Sequence, residues 1–180
     1  MSAFDDAWAK TDAVEKGYSN NPSDSGGETN HGITVAVARA HGYTGPMKDL
    51  PIATAVAIAK VQYWDVLGLD DVAAVSSEVA AELFDTGYLS GTSVAALFFQ
   101  KALNLFNRGG TDYAEVAEDG HAGKLTAYAF AQYAAKRGAD AQRVMLRALN
   151  AEQGAFLMDL GRRIPKDEDF EFGWFLNRVA

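Results

Sequence analysis

The chain contains no cysteine and only four prolines in 180 residues. The first absence excludes disulfides and thiolate metal sites, so the composition ties the fold to neither an oxidising nor a reducing compartment. The second leaves long stretches without a helix breaker, and abundant alanine adds to a helical bias. No apolar run approaches the roughly 18 residues of a bilayer-spanning helix, and no stable membrane association is expected. The opening Met1-Ser2-Ala3-Phe4-Asp5-Asp6 has neither the basic region nor the apolar core of a signal peptide. The expectation is therefore synthesis in the cytoplasm, with some other agent releasing the protein if it acts outside. Basic residues are also in the minority. The net charge of −8 argues against a general nucleic-acid binder, so no nucleic-acid partner is expected.

What the chain does have is apolar surface: 48% hydrophobic and 11% aromatic residues, enough for one well-buried core. Its charge is uneven, with residues 1–120 at −10 and residues 121–180 at +2. The cluster Lys136, Arg137, Arg143 and Arg147 either faces an anionic partner or is a solvated helix face.

Periodicity predicts a helix over residues 3–16, because Phe4, Trp8, Thr11 and Glu15 share one face, widened by Ala7 and Val14. Residues 17–32 are rich in turn formers and hold either a loop or a short β-hairpin. Helices are predicted at 33–41, and at 52–65 with Ile52, Val56, Ala59 and Tyr63 on one side. Another runs from a cap at Ser76 or Ser77 to about Tyr88. A further helix starts at Gly91-Thr92, with Val94, Phe98, Lys101 and Leu105 in a stripe beside Leu97. After a glycine-rich loop over 107–123, helices follow at about 123–137, 139–162 and 168–178. No long period-2 strand and no internal repeat is present. The fold class is mainly α, a single domain of seven or eight helices over residues 1–180.

The region after the first helix carries the candidate chemistry. Glu15 ends an apolar face. Either it reaches solvent from the helix end, or it is partly desolvated, which would raise its pKa and keep a proton available for general acid catalysis. Asp24 is either an Asx-turn residue or a second carboxylate across from that acid, an arrangement that recurs in glycoside hydrolysis. Thr29 is a turn or cap residue, or a hydroxyl that holds water. Gly26-Gly27 permits a tight return of the loop. The three histidines, His31, His41 and His121, lack metal-ligand spacing, and neither a metal nor a cofactor is implied. His31 either contacts a ligand from the loop or bonds its own backbone. His41 reads as a helix C-terminal residue. Asp85 is paired in the core or lines a cleft. Tyr88 is a core aromatic or a platform for a ring, and Trp8, Trp64 and Trp174 read as core.

The residues Glu15-Lys16-Gly17-Tyr18, then Asp24-Ser25-Gly26-Gly27-Glu28-Thr29, then Gly32-Ile33-Thr34 resemble the signature of glycoside hydrolase family 108. The order Glu, Asp, Thr also resembles the catalytic triad of phage-type lysozymes. The likeness continues through Tyr63-Trp64. It then takes in Leu83-Phe84-Asp85-Thr86-Gly87-Tyr88 through Ala102-Leu103, then Asp119-Gly120-His121-Ala122-Gly123, and Gly173-Trp174 with Asn177-Arg178. These later stretches resemble the family's downstream peptidoglycan-domain half. Two departures stand out: Lys16 occupies a position where the family commonly has glycine, and the step from Asp24 to Thr29 is one residue shorter than in phage lysozymes.

The resemblance implies a lysozyme-like helical domain, with a catalytic-motif half over 1–70 and a helical peptidoglycan-domain half over 71–180. It implies an endolysin-type N-acetylmuramidase that cleaves the β-1,4 bond between N-acetylmuramic acid and N-acetylglucosamine. Glu15, Asp24 and Thr29 would be catalytic, and Tyr18, Gly26, His31, Asp85 and Tyr88 substrate-binding. Bacterial peptidoglycan would be the partner of a monomeric enzyme that reaches the wall through a holin or a secretion system. Two alternatives remain at this level: a lytic transglycosylase using Glu15, and a non-catalytic peptidoglycan-binding module.

Overall fold

The computed structural model describes residues 1–14, 17–20, 27–163, 172, 173, 175, 176, 178 and 179. The described chain is mainly α-helical, with one small antiparallel hairpin after the first helix. Helix α1 spans Ala3–Val14. Its start is fixed by a reciprocal cap: the Ser2 amide donates to Asp5 Oδ2 at 2.8 Å, and the Asp5 amide donates to Ser2 Oγ at 3.2 Å. Phe4, Ala7, Trp8 and Thr11 are buried, as the period predicts.

The hairpin pairs β1 (Thr29–Asn30) with β2 (Ile33–Thr34) and leads directly into α2 (Val35–Ala40), capped by Thr34 through the Val37 amide. The helix expected at 33–41 is thus shorter by its first two residues, which pair as a strand instead. His41 caps its C-terminus. A single 3-10 turn at Met47–Asp49 precedes α3 (Ile52–Ala59).

The segment expected as one helix over 52–65 changes character at Lys60. Residues Lys60–Asp65 form a π-helical stretch, and its wider turn carries Tyr63 and Trp64 into the core. A short helix not foreseen in the sequence, α4 (Leu69–Ala73), follows Gly68. Helix α5 (Ser77–Ser90) is capped by Ser76, whose hydroxyl accepts from the Val79 amide. Helices α6 (Thr92–Phe106), α7 (Lys124–Arg137) and α8 (Ala141–Arg163) complete the described architecture. Of the helix expected at 168–178, Phe172, Gly173, Phe175, Leu176 and Arg178 are described and helical. Trp174 lies outside the described residues.

Helix α5 is the hub, packing against α1, α4, α6 and α8. One contiguous apolar cluster runs from Phe4 to Leu149. Its centre is aromatic: the Phe4 ring meets Trp64 edge-on at 5.5 Å and Phe84 at 5.8 Å, while Trp8 meets Tyr88 at 6.0 Å. Two residues depart from the predicted apolar faces. Ile52 is exposed because it opens the first turn of α3, ahead of the buried Ala55, Ile58 and Ala59. Leu105 is exposed at the C-terminal end of its stripe, although Phe98 on the same stripe is buried with Ala95, Ala96, Phe99, Ala102 and Leu103. Two residues of the basic cluster are paired: Arg137 bonds the Phe106 carbonyl and pairs with the buried Asp112, and Arg143 pairs with the exposed Asp140.

Candidate active site

The hairpin owes its shape to a two-residue turn. His31 and Gly32 both have positive φ, +51° and +70°, the combination a type I′ turn requires between paired strands. Glycine adopts this conformation freely, but histidine does so against steric resistance. Two contacts hold His31 there. Its carbonyl accepts a hydrogen bond from the Tyr88 hydroxyl on α5. Its Nδ1 lies 3.0 Å from Asp12 Oδ1 on α1, so the imidazole donates to that carboxylate. Asn30 ties the hairpin to the following turn: its side-chain amide donates to the Met47 carbonyl at 2.8 Å and to the Lys48 carbonyl at 3.3 Å.

Thr29 is the middle residue of a row of hydroxyls. It pairs with Thr34 across the hairpin and with Ser19 on its other side, where both backbone bonds are 2.9 Å. Directly opposed strand residues share a face, so Ser19, Thr29 and Thr34 line one side of this small sheet. Tyr18 is partly exposed, and its hydroxyl donates to Glu28 Oε1 at 2.7 Å. The carboxylate holds that proton and pushes the Tyr18 phenol up from its ordinary value.

On the other flank of the α1 stripe lies an open cavity of about 380 Å3 lined by Lys10, Thr11, Glu78, Glu82, Asp85 and Arg178, among others. Asp85 is paired and also lines the cavity. Its Oδ1 accepts from the Thr11 hydroxyl at 3.1 Å and from Arg178 Nη1 at 2.5 Å. The C-terminal segment packs over Gly154 of α8, where a Cβ would stand in ordinary contact with Val179 and Phe175. Glu82 lies one turn before Asp85 on α5. Burial, reinforced by the Asp85 charge and opposed by Arg178, pushes its carboxyl up to about 7. Among the described residues its Oε1 has no hydrogen-bond partner.

Of the candidates read from the sequence, Glu15, Asp24 and Gly26 lie outside the described residues. Thr29, Tyr18, His31, Asp85 and Tyr88 are described. Thr29, Tyr18 and His31 sit together on or beside the hairpin. His31 and Asp85 hold neighbouring residues of α1, Asp12 and Thr11. Tyr88 is buried against Trp8, Tyr63 and Phe84 and tethers the hairpin turn through its hydroxyl. Asp12, Glu82 and Arg178 were missed as site components. Asp12 could have been found, since it precedes Glu15 by one helical turn. The Arg178 pairing spans 93 residues and leaves no local signal. Among the described residues no three His, Asp or Glu side chains gather into a metal-binding group, and no described helix is long and apolar enough to cross a membrane.

Comparison with known proteins defines what this scaffold is. Residues 8–91 match the family model described as glycosyl hydrolase 108, and residues 94–179 match one described as a predicted peptidoglycan domain. The two segments meet at the Gly91 break between α5 and α6, so together they cover almost the whole chain. Among solved structures the chain is similar to SagA of Brucella abortus. The identity is 27% and the TM-score 0.70, over 95% of this chain and 86% of that one. No match is found among curated proteins. The protein is therefore a glycoside hydrolase, and peptidoglycan is the polymer it degrades. Residues 8–91 form its glycoside hydrolase family 108 segment.

Proposed function

We propose that this protein is an endolysin-type N-acetylmuramidase that hydrolyses the β-1,4 bond between N-acetylmuramic acid and N-acetylglucosamine, with Glu15 as general acid. The observation that carries the reading is a pairing of match and geometry. The family 108 match spans 8–91, and within it the hairpin turn that follows the Thr29 strand is bound through His31 to Asp12 in the last turn of α1, from which the chain runs through Val14 into Glu15.

In this reaction the Glu15 carboxyl gives its proton to the glycosidic oxygen as the C1–O bond breaks and positive charge develops at C1. A water attacks C1 from the opposite face. Asp24 takes the proton that the water loses, and Thr29 orients that water from the hydroxyl row. The products are a free muramic reducing end and an N-acetylglucosamine hydroxyl. Tyr18, Gly26 and Asp85 are the residues proposed to line the saccharide site around this pair, and His31 and Tyr88 shape it indirectly, by holding the hairpin turn. The enzyme acts as a monomer, reaching the wall by a holin or a secretion route.

Digestion of purified sacculi followed by mass spectrometry of the released fragments tests this reading. The expected products carry reducible N-acetylmuramic ends. Anhydro-muramic ends would mean that the substrate's own hydroxyl, not water, attacks. Sedimentation with sacculi without any release would indicate a binding module.

A further inference from the structure

We propose that Asp12 and His31 form a positioning pair that fixes the hairpin bearing Thr29 against the helix end that leads to Glu15. The inference rests on the muramidase reading above. It assigns the His31 imidazole to Asp12 rather than to the sugar.

The argument begins with backbone strain. Position 31 sits at φ +51°, where glycine would cost nothing and a Cβ is resisted. A histidine there weakens the turn unless its side chain returns something. What it returns is the 3.0 Å contact from Nδ1 to Asp12 Oδ1, with both side chains about three-quarters buried. A carboxylate acceptor selects the tautomer protonated at Nδ1, and a protonated ring strengthens the contact into an ion pair. The same residue is held from the opposite side. The Tyr88 hydroxyl bonds the His31 carbonyl, and the Tyr88 ring is wedged among Trp8, Tyr63 and Phe84. The turn is thereby clamped between α1 and α5, through its side chain on one side and its main chain on the other.

The clamp's location gives it a consequence for catalysis. Asp12 stands three residues before Glu15 and His31 two residues after Thr29. The acid and Thr29 lie fourteen residues apart in the sequence, and Asp12–His31 is a direct side-chain link between the helix before one and the hairpin that carries the other. Hydrolysis requires acid and water-orienting groups held at a fixed separation. A misplacement of about 1 Å can cost on the order of a hundredfold in rate.

Four variants test the pair: His31→Gly, Asp12→Ala, the double variant, and Asp12→Asn. They are assayed on soluble uncrosslinked glycan strands, with thermal unfolding measured alongside. His31→Gly relieves the turn strain, so its melting temperature should stay at or above that of the parent. The expected result is a roughly tenfold or greater fall in kcat for His31→Gly and for Asp12→Ala, with KM within about twofold. The double variant should be no worse than the poorer single one. Asp12→Asn, whose amide oxygen still accepts from Nδ1, should recover most of the loss.

Three outcomes overturn the pair: full kcat in both single variants, losses that multiply in the double variant, or a KM rise confined to His31→Gly. The last would mean that the imidazole touches the sugar. A parent enzyme that leaves the strands uncut overturns the muramidase reading itself and the pair with it. An active parent with unaffected variants overturns the pair alone.

Discussion

Arg178 and Asp85, 93 residues apart, meet at 2.5 Å, joining the C-terminal segment to the helix at the centre of the fold. Asp85 also receives the Thr11 hydroxyl, so a single carboxylate connects α1, α5 and the segment around Arg178. The guanidinium is almost wholly buried and the carboxylate largely so. A charge pair in this setting is costly to break from one side, because the remaining group is left without its counter-charge.

Replacing Arg178 with methionine keeps much of the side-chain bulk and removes the charge. The loss expected is roughly 2–3 kcal/mol, in keeping with a charge-assisted hydrogen bond in a buried site. Urea unfolding measures it. The neighbouring Glu82 carboxyl would also move further up, since Arg178 is the group that draws it down.

Glu82 predicts a specific dependence of stability on pH. Its carboxyl is raised from the ordinary 4.5 to about 7 in the folded protein. Between those values the unfolded chain gives up a proton that the folded state retains. The group's contribution is therefore complete below about pH 4.5 and is lost as pH rises through about 7. The span corresponds to roughly 3 kcal/mol. Glu82→Gln resembles the protonated form at every pH. It should match the parent near pH 4.5 and exceed it by roughly 2–3 kcal/mol at pH 8. Chemical unfolding of both proteins across this range tests the prediction, and parallel curves would contradict it.

Asn30 is a small residue with a large structural task. Its buried amide satisfies the Met47 carbonyl and supports that of Lys48. Asn30→Ala should cost about 1–3 kcal/mol by orphaning a buried acceptor. The damage should concentrate at the hairpin, so hydrogen exchange at the amides of Thr29 and Ile33 should rise more than exchange in α5.

The part of this molecule that could be read from the sequence is the part governed by local periodicity and caps. The α1 face of Phe4, Trp8 and Thr11, the Ser76 cap, and the glycine-rich connection before α7 all follow from residue type and spacing. Leu105 and Ile52 escaped because an apolar residue at the right phase still needs a neighbouring element to cover it. The π-helical turn at 60–65 escaped because an extra residue in a helical turn has no compositional mark. The pairs Asp12–His31 and Asp85–Arg178 are products of tertiary packing. Periodicity could place Asp12 on α1 and Asp85 on α5, but not the partner each would meet. The family signature supplied the identity of the candidate acid, which the apolar face alone left open.

The central claim is that Glu15 supplies the proton for glycosidic cleavage, and one side-by-side measurement addresses it most directly. Parent and Glu15→Gln proteins, matched for folding by thermal unfolding, are incubated with purified peptidoglycan, and new muramic reducing ends are counted over time. The isosteric amide keeps shape and hydrogen bonding while removing the transferable proton. The prediction is a fall in initial rate of at least about a hundredfold with fold and sacculus binding retained. Release of reducing ends by Glu15→Gln at a rate near that of the parent would contradict it.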